Sequence, residues 1–532
     1  MRSARISLLF CIVALVAMLP AVPASAQQPR VGLGIAPNAP LAAIDQVLKA
    51  LEAAGVPAEQ VAGDADLQLV TPGADGSVAA WERVFTPAVR MSSLLDSIRL
   101  DELKGVWTGA ARSSNFATLY VGKEAATVLA PLLGRPGPRV KIVPDDGVEA
   151  AVWGDRTGVG IVPFDRLTVR LRALKVNGQS PVDNRFRLDA WLLTARASLV
   201  GLTDRGRAAL TTAQGKLPAT NRDPAKLTVL VMTGVTAMAR SSAAAIEKSG
   251  DYGFLARKVG PELAAADITT VSNEIPFAPG CMANNSPNTL VLCSKPEYWK
   301  NLELSGVDAI GLTGNHLLDF GRKALLGTLA LYEEKKIPVY GGGANEKAAA
   351  EPVVLEHNGN RLGFLGANQY GPPVAWAGPD KPGSARFNLA KMQADIKALT
   401  QKADVVFAEV QHFETNYKGE YVNVPNDQAE IDFRGLSDAG ADVVTGVMAH
   451  APQAVEIRKG RLILYGLGNL YFDQTWSWPT RTGLVARHTI YDGELLNTEL
   501  LVTVIDKNYQ LRWASPAERK QVLGSIFAVS RW

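Results

Sequence analysis

Cysteine is nearly absent from this chain: there are three in 532 residues, alongside five histidines. So few thiols exclude a disulfide-stapled scaffold and a multi-cysteine zinc or iron–sulfur centre. A strong charge of either sign is missing too. Lys and Arg number 55 against 52 Asp and Glu, a formal net charge of +3 that falls to +1 without Arg2 and Arg5. That balance gives no support to a nucleic-acid or membrane-surface partner. No low-complexity tract occurs, and beyond the N-terminus no apolar run is long enough to span a bilayer. What is present is a globular composition, 47% hydrophobic and 20% charged, in a chain long enough for two or three domains.

The N-terminus reads "MRSARISLLFCIVALVAMLPAVPASAQQ". Arg2 and Arg5 give a basic start, Ile6 to Leu19 an apolar stretch, and Ala24-Ser25-Ala26 a small-residue cleavage site. Residues 1–26 therefore read as an export signal, which predicts a periplasmic or extracellular protein, soluble after cleavage near Ala26. Cys11 would leave with the signal. Cys281 and Cys293, twelve residues apart, then predict a disulfide, with two buried free thiols as the alternative. A zinc pair lacks both C-x-x-C spacing and a nearby His.

Residues 211–226, "TTAQGKLPATNRDPAK", are polar, hold two prolines and lack sustained periodicity, so they read as a linker. Residues 27–210 alternate short apolar runs ("RVGLGIAP", "ATLYVG", "GVGIVPF") with helical patterns ("LAAIDQVLKALEAAG", "EAATVLAPLLG"), which predicts an α/β domain. Within it, "VEAAVWGDRTGVGIVPFDRL" resembles the passage of type 2 periplasmic binding proteins where a helix leads to a strand in the second lobe. A structural α/β domain with no small ligand is the alternative. Residues 227–532 carry apolar runs that end in polar or glycine-rich turns ("KLTVLVMTG", "ADITTVSN", "VDAIGLTGN", "ADVVFAEVQ", "ADVVTGVM"). Hairpin turns are predicted at Asn358-Gly359, Lys459-Gly460 and Asp492-Gly493. Mixed sheets with helices outside give an expected α-β-β-α layering.

Of the five histidines, His316, His412 and His450 each fall just past a predicted strand of the C-terminal region, as does the carboxylate Glu274. His357 and His488 lie inside hairpin strands and read as structural. A carboxylate beside neutral imidazoles and the Asn315 carbonyl is a ligand mix that binds a divalent metal and activates water. Glu274 as a loop carboxylate capping backbone N–H groups is the plainer alternative. Asp319 would anchor its turn or orient His316.

Six segments occur in the order they hold in one family: "MTGVTAMAR" (232–240), "SNEIP" (272–276), "TGNHLLDFG" (313–321), "HFETNY" (412–417), "GADVVTGVMAHAPQ" (440–453) and "LYGLGNLYFDQ" (464–474). On these the region 227–475 resembles the CapA-type poly-γ-glutamate (capsule) synthesis family, of calcineurin-like metallophosphoesterase fold. The resemblance implies a four-layer αββα sandwich, one divalent metal held by Glu274, Asn315, His412 and His450, and His316 as general acid with Asp319 beside it. It also implies a polymer partner such as poly-γ-glutamate or an envelope polysaccharide.

The departures from the family pattern bear on mechanism. Val235 stands where the first motif has Asp, Met448 where the fifth has its first His, and Asn416 where the fourth has Glu. Val cannot ligate a metal, and a thioether suits hard or borderline cations poorly. Two functions follow from the resemblance: a metal-dependent hydrolase with a reduced metal site, or a non-catalytic protein that binds or tethers an extracellular polymer.

Overall fold

The structure is a computed structural model and describes residues 30–282, 290–413, 420 and 422–532. The segment 1–26 read as an export signal, and Asn416 with its neighbours in the fourth motif, lie outside the described residues. The chain is a mixed α/β protein that forms two compact units. One holds residues up to Ala80 together with Ala197–Pro218; the other holds Trp81–Arg196 and Ala219–Trp532. The cuts thus fall at 80/81, 196/197 and 218/219, where the sequence pattern places one boundary within 211–226. Residues 211–226 contain the end of the helix Asp204–Ala213, two 3-10 turns and the short strand Ala219–Thr220.

In the smaller unit the strand order is Ala58–Gln60, Val31–Ile35, Leu67–Val70 and the second half of Thr194–Gly201. The helix Ile44–Ala53 buries Val47, Ala50 and Leu51, the stripe its 3.6-residue periodicity sets.

Polar and aromatic contacts bind residues 81–196 to the rest of the larger unit. The backbone N–H of Ala173 donates to Asn497 Oδ1 at 2.9 Å, Lys175 meets Glu499 at 2.8 Å, and Asp183 meets Arg487 at 3.1 Å. Phe164 packs edge-on against Tyr491. Within this segment the helix Val148–Gly154 leads into the strand Gly158–Pro163, as expected from the sequence.

Two further sheets position the site. The first runs Val339–Tyr340, Ala309–Gly311, Ile268–Asn273, Leu227–Thr236, Thr482–Tyr491, Glu494–Ile505, Leu511–Trp513. The second runs Val353–His357, Asn360–Asn368, Val405–Gln411, Val443–Val447, Arg461–Leu464, Val455–Arg458. The parallel strands Leu227–Thr236, Ile268–Asn273 and Ala309–Gly311 end at one edge of the first sheet, and Asn360–Asn368, Val405–Gln411 and Val443–Val447 at one edge of the second. One core cluster draws on both sheets, including Leu230, Met232, Leu484, Phe364, Phe407 and Leu462. A second packs the first sheet's other face (Val231, Val271, Ile310) against helical Ile246, Leu302 and Leu325. A third packs the second sheet's other face (Val406, Ala408, Val444) against helical Ile396, Phe433 and Leu436.

All three hairpins turn where expected. Asn358-Gly359, Lys459-Gly460 and Asp492-Gly493 have positive φ at both central positions, the I′ geometry whose twist matches paired strands. Cys281 and Cys293 form a disulfide with Cα atoms 5.9 Å apart. Among the described residues, no helix is long and apolar enough to cross a membrane.

Candidate functional site

The parallel-strand ends of the two sheets deliver polar side chains to one buried place. Glu274 follows directly on Ile268–Asn273, Asn315 lies four residues past Ala309–Gly311, Gln411 closes Val405–Gln411, and Met448 follows Val443–Val447. At their centre stands an amide nitrogen. Gln411 Nε2 lies 3.0 Å from Glu274 Oε1, 2.8 Å from Asn315 Oδ1 and 2.9 Å from Met448 Sδ. Glu274 and Gln411 are 2% and 1% exposed. Their other oxygens, Glu274 Oε2 and Gln411 Oε1, are buried without a hydrogen-bond partner.

The glycines of "GLTGNH" make room for this. A Cβ on Gly311 would collide with the Glu409 carboxylate, and one on Gly314 with the backbone of Glu274. Glu409, two residues before Gln411 and so on the same strand face, accepts hydrogen bonds from Thr313 Oγ1 (2.8 Å) and Tyr340 OH (3.2 Å). Burial pushes its carboxyl above the usual range, although those hydroxyls pull the other way.

His316 faces Asp319: Nδ1 and Oδ2 are 2.5 Å apart, and the same oxygen accepts the backbone N–H of Leu292 at 2.9 Å. Burial depresses the imidazole's affinity for a proton. The hydrogen bond to Asp319 and the negative charges of Glu274 and Asp319 outweigh burial and the repulsion of Arg240, so its pKa is raised.

The other two histidines have different partners. His412 Nδ1 accepts the backbone N–H of Phe413 at 3.0 Å, so Nε2 carries the proton donated to Asp432 Oδ2 at 2.9 Å. Its ring lies edge-on to Phe433. Both nitrogens are engaged, and no lone pair is left for a metal. His450 donates from Nδ1 to Asn469 Oδ1 at 2.8 Å and stacks on Phe472 at 5.1 Å between centroids. The Nδ2 of the same Asn469 is spent on carbonyl and amide oxygens (His450, Thr480 and Gln474), which fixes its Oδ1 as the acceptor. Of the four expected ligands the structure joins Glu274 and Asn315, through Gln411, and gives His412 and His450 these separate partners.

Beside them Arg240 and Asp473 form a buried ion pair, with Arg240 Nη2 2.6 Å from Asp473 Oδ1 and the guanidinium over the Phe472 ring. It ties the first motif to the sixth. Val235 is buried in Leu227–Thr236 and bridges Asn469. Motif spacing alone does not single out Gln411, Glu409, Asp432 or the Arg240–Asp473 pair. For Glu409 and Gln411 the available signal is two polar residues alternating inside the otherwise apolar "VVFAEVQ".

The family model described as bacterial capsule synthesis protein PGA_cap matches residues 229–474. The capsule biosynthesis protein CapA of Bacillus anthracis is 30% identical over 283 residues, 52% of this chain and 67% of that protein. The chain belongs to the PGA_cap capsule synthesis family. Another relative, the PGA biosynthesis protein CapA of Bacillus subtilis (strain 168), is 25% identical over 236 residues, and the match covers 44% of this chain and 61% of that protein, under two thirds of its length. Among solved structures, a 5′-nucleotidase precursor from Thermus thermophilus matches with 15% identity over 57% of this chain and 58% of that one. Its TM-score of 0.30 does not establish a shared fold.

Every residue of the Gln411 hub, and both the His316–Asp319 and Arg240–Asp473 pairs, fall inside the PGA_cap segment. The hub does not fit the divalent metal that the resemblance implies. A neutral amide N–H pair stands where three donor atoms converge, one donor is a thioether, and His412 offers no lone pair. Among the described residues, no three His, Cys, Asp or Glu side chains assemble as a metal-holding group.

Proposed function

We propose that this PGA_cap family member binds or tethers an anionic polymer of the cell envelope, of the poly-γ-glutamate type, and does not hydrolyse it through a metal. The names of its relatives support the capsule-related role. The observation that carries the non-hydrolytic reading is the amide of Gln411 at the convergence of Glu274, Asn315 and Met448. The reading includes export through residues 1–26 and a four-layer αββα sandwich of metallophosphoesterase type. Three core clusters, one between the sheets and one outside each, support that layering. The helix-to-strand passage through 148–163 supports a periplasmic-binding-type arrangement for part of the N-terminal region.

One observation favours the second reading, a hydrolase. His316 has a raised pKa and an Asp partner, the state a general acid needs to hold its proton near neutral pH. A single experiment separates the two. Labelled poly-γ-glutamate is incubated with the purified protein with and without Mn²⁺ or Zn²⁺, and retention of polymer and release of new amine ends are both measured. Retention without new ends is the expected result. Metal-stimulated chain cleavage that His316→Ala abolishes would replace this reading with the hydrolase.

A further inference from the structure

Three heteroatoms of different kinds, a carboxylate oxygen, an amide oxygen and a thioether sulfur, converge on one atom from three strand ends, which is how side chains surround a cation. The atom is Gln411 Nε2, at 2.8–3.0 Å from each. These are hydrogen-bond lengths. The amide's orientation is fixed by the company it keeps. Turned over, Gln411 would set its carbonyl oxygen against the Glu274 carboxylate and a sulfur lone pair, acceptor against acceptor at both.

We infer that the side-chain amide of Gln411 is a built-in substitute for the cation of this site: its N–H pair takes the cation's position, partly offsets the charge of Glu274, and closes the hub to metal. The inference deepens the non-hydrolytic reading and rests on it. A neutral amide is an incomplete replacement. It has two hydrogens for three acceptors, and a fixed dipole where a cation would carry full charge. The Glu274 carboxylate keeps its second oxygen, Oε2, buried without a partner, and Gln411 Oε1 is likewise unpartnered. The cation site is therefore latent. Shortening residue 411 empties the position, and exchanging the thioether at 448 for an imidazole supplies a ligand suited to borderline metals.

The test uses the full chain as wild type, as Gln411→Ser/Met448→His, and as that double variant with Glu274→Gln added. Each is incubated with Zn²⁺ and with Co²⁺, desalted and analysed for bound metal, and the Co²⁺ absorption spectrum is recorded. The wild type should retain no stoichiometric metal, with a Co²⁺ spectrum like that of the free aqueous ion. The double variant should retain about one equivalent and show a protein-ligated Co²⁺ spectrum, and adding Glu274→Gln, which removes the one anionic ligand, should lose that stoichiometric retention. Stoichiometric zinc on the wild type that Glu274→Gln removes would overturn the inference, as would a folded double variant binding no better than wild type. If the double variant does not fold, the wild type decides through NMR of the Gln411 side-chain N–H₂. Slow exchange unchanged by Zn²⁺ supports the substitute role, and loss of those signals on adding Zn²⁺ refutes it. Zinc on the wild type without polymer cleavage would sink only the role of Gln411; metal-stimulated cleavage would sink the functional reading itself.

Discussion

Asp319 Oδ2 serves two donors, His316 Nδ1 and the Leu292 N–H, and its hydrogen bond and charge act with the charge of Glu274 to raise the proton affinity of His316. Its raised pKa makes a linkage statement with a definite sign. The protonated form is favoured by folding, so the stabilisation is complete below the imidazole's unfolded value and is lost as pH rises through the folded one. Asp319→Asn should leave only the charge of Glu274 to oppose burial and so lower the His316 titration midpoint, read by NMR of the ring resonances. A midpoint unchanged in the variant would show that Asp319 does not govern it. Arg240 and Asp473 are the other residue-scale test. Both side chains are under one-tenth exposed, so Arg240→Ala strands a buried carboxylate and should cost about 3–5 kcal/mol in denaturant unfolding. A loss below about 1 kcal/mol, the range of an exposed pair, would contradict the burial seen here.

Among the elements, the chemistry depends on strand ends meeting across two sheets. Sequence pattern is enough to place the strand ends: Glu274, Asn315, His412 and Met448 all sit at or just past the C-terminus of a parallel strand, as the apolar runs imply. The three I′ hairpins and the amphipathic helices are legible for the same local reason, since turn chemistry and periodicity act within a few residues. Where a ring points is not legible. His412 turns to Asp432 because the helix Asp427–Ala439 brings that carboxylate within 2.9 Å, and nothing in the spacing of the motif encodes that meeting. Gln411 is hidden for a related reason. Alternation turns it inward with Glu409, but which groups it meets depends on the packing of the other sheet. The disulfide acts on a comparable length of chain. With its cysteines 12 positions apart, reducing it should lower stability by about 3 kcal/mol, seen as a lower unfolding midpoint in reductant. An unchanged midpoint would indicate that the loop contributes nothing to unfolding.

Across the whole molecule, the division into units follows spatial contact more than linear order. Trp81–Arg196 looks from its composition like part of an independent N-terminal domain. The contacts that bind it to the rest of the larger unit, Ala173 with Asn497, Lys175 with Glu499 and Asp183 with Arg487, join residues 300 or more positions apart, a distance over which no sequence pattern reports. A fragment beginning at Leu227 would lose these pairs and expose to water the surface that Phe164 covers at Tyr491, and should unfold at a lower denaturant midpoint than the full chain. Equal stability of fragment and full chain would favour a boundary within 211–226.

All of this turns on an amide of the chain itself filling the place where the family resemblance puts a metal. Diffraction from crystals soaked in Mn²⁺ or Zn²⁺, recorded at the metal's absorption edge, examines that position atom by atom. No anomalous peak is expected among Glu274, Asn315 and Met448, with the Gln411 amide still at hydrogen-bond distance from all three. A strong peak bonded to Glu274, with Gln411 swung away, would refute the substitution of amide for metal.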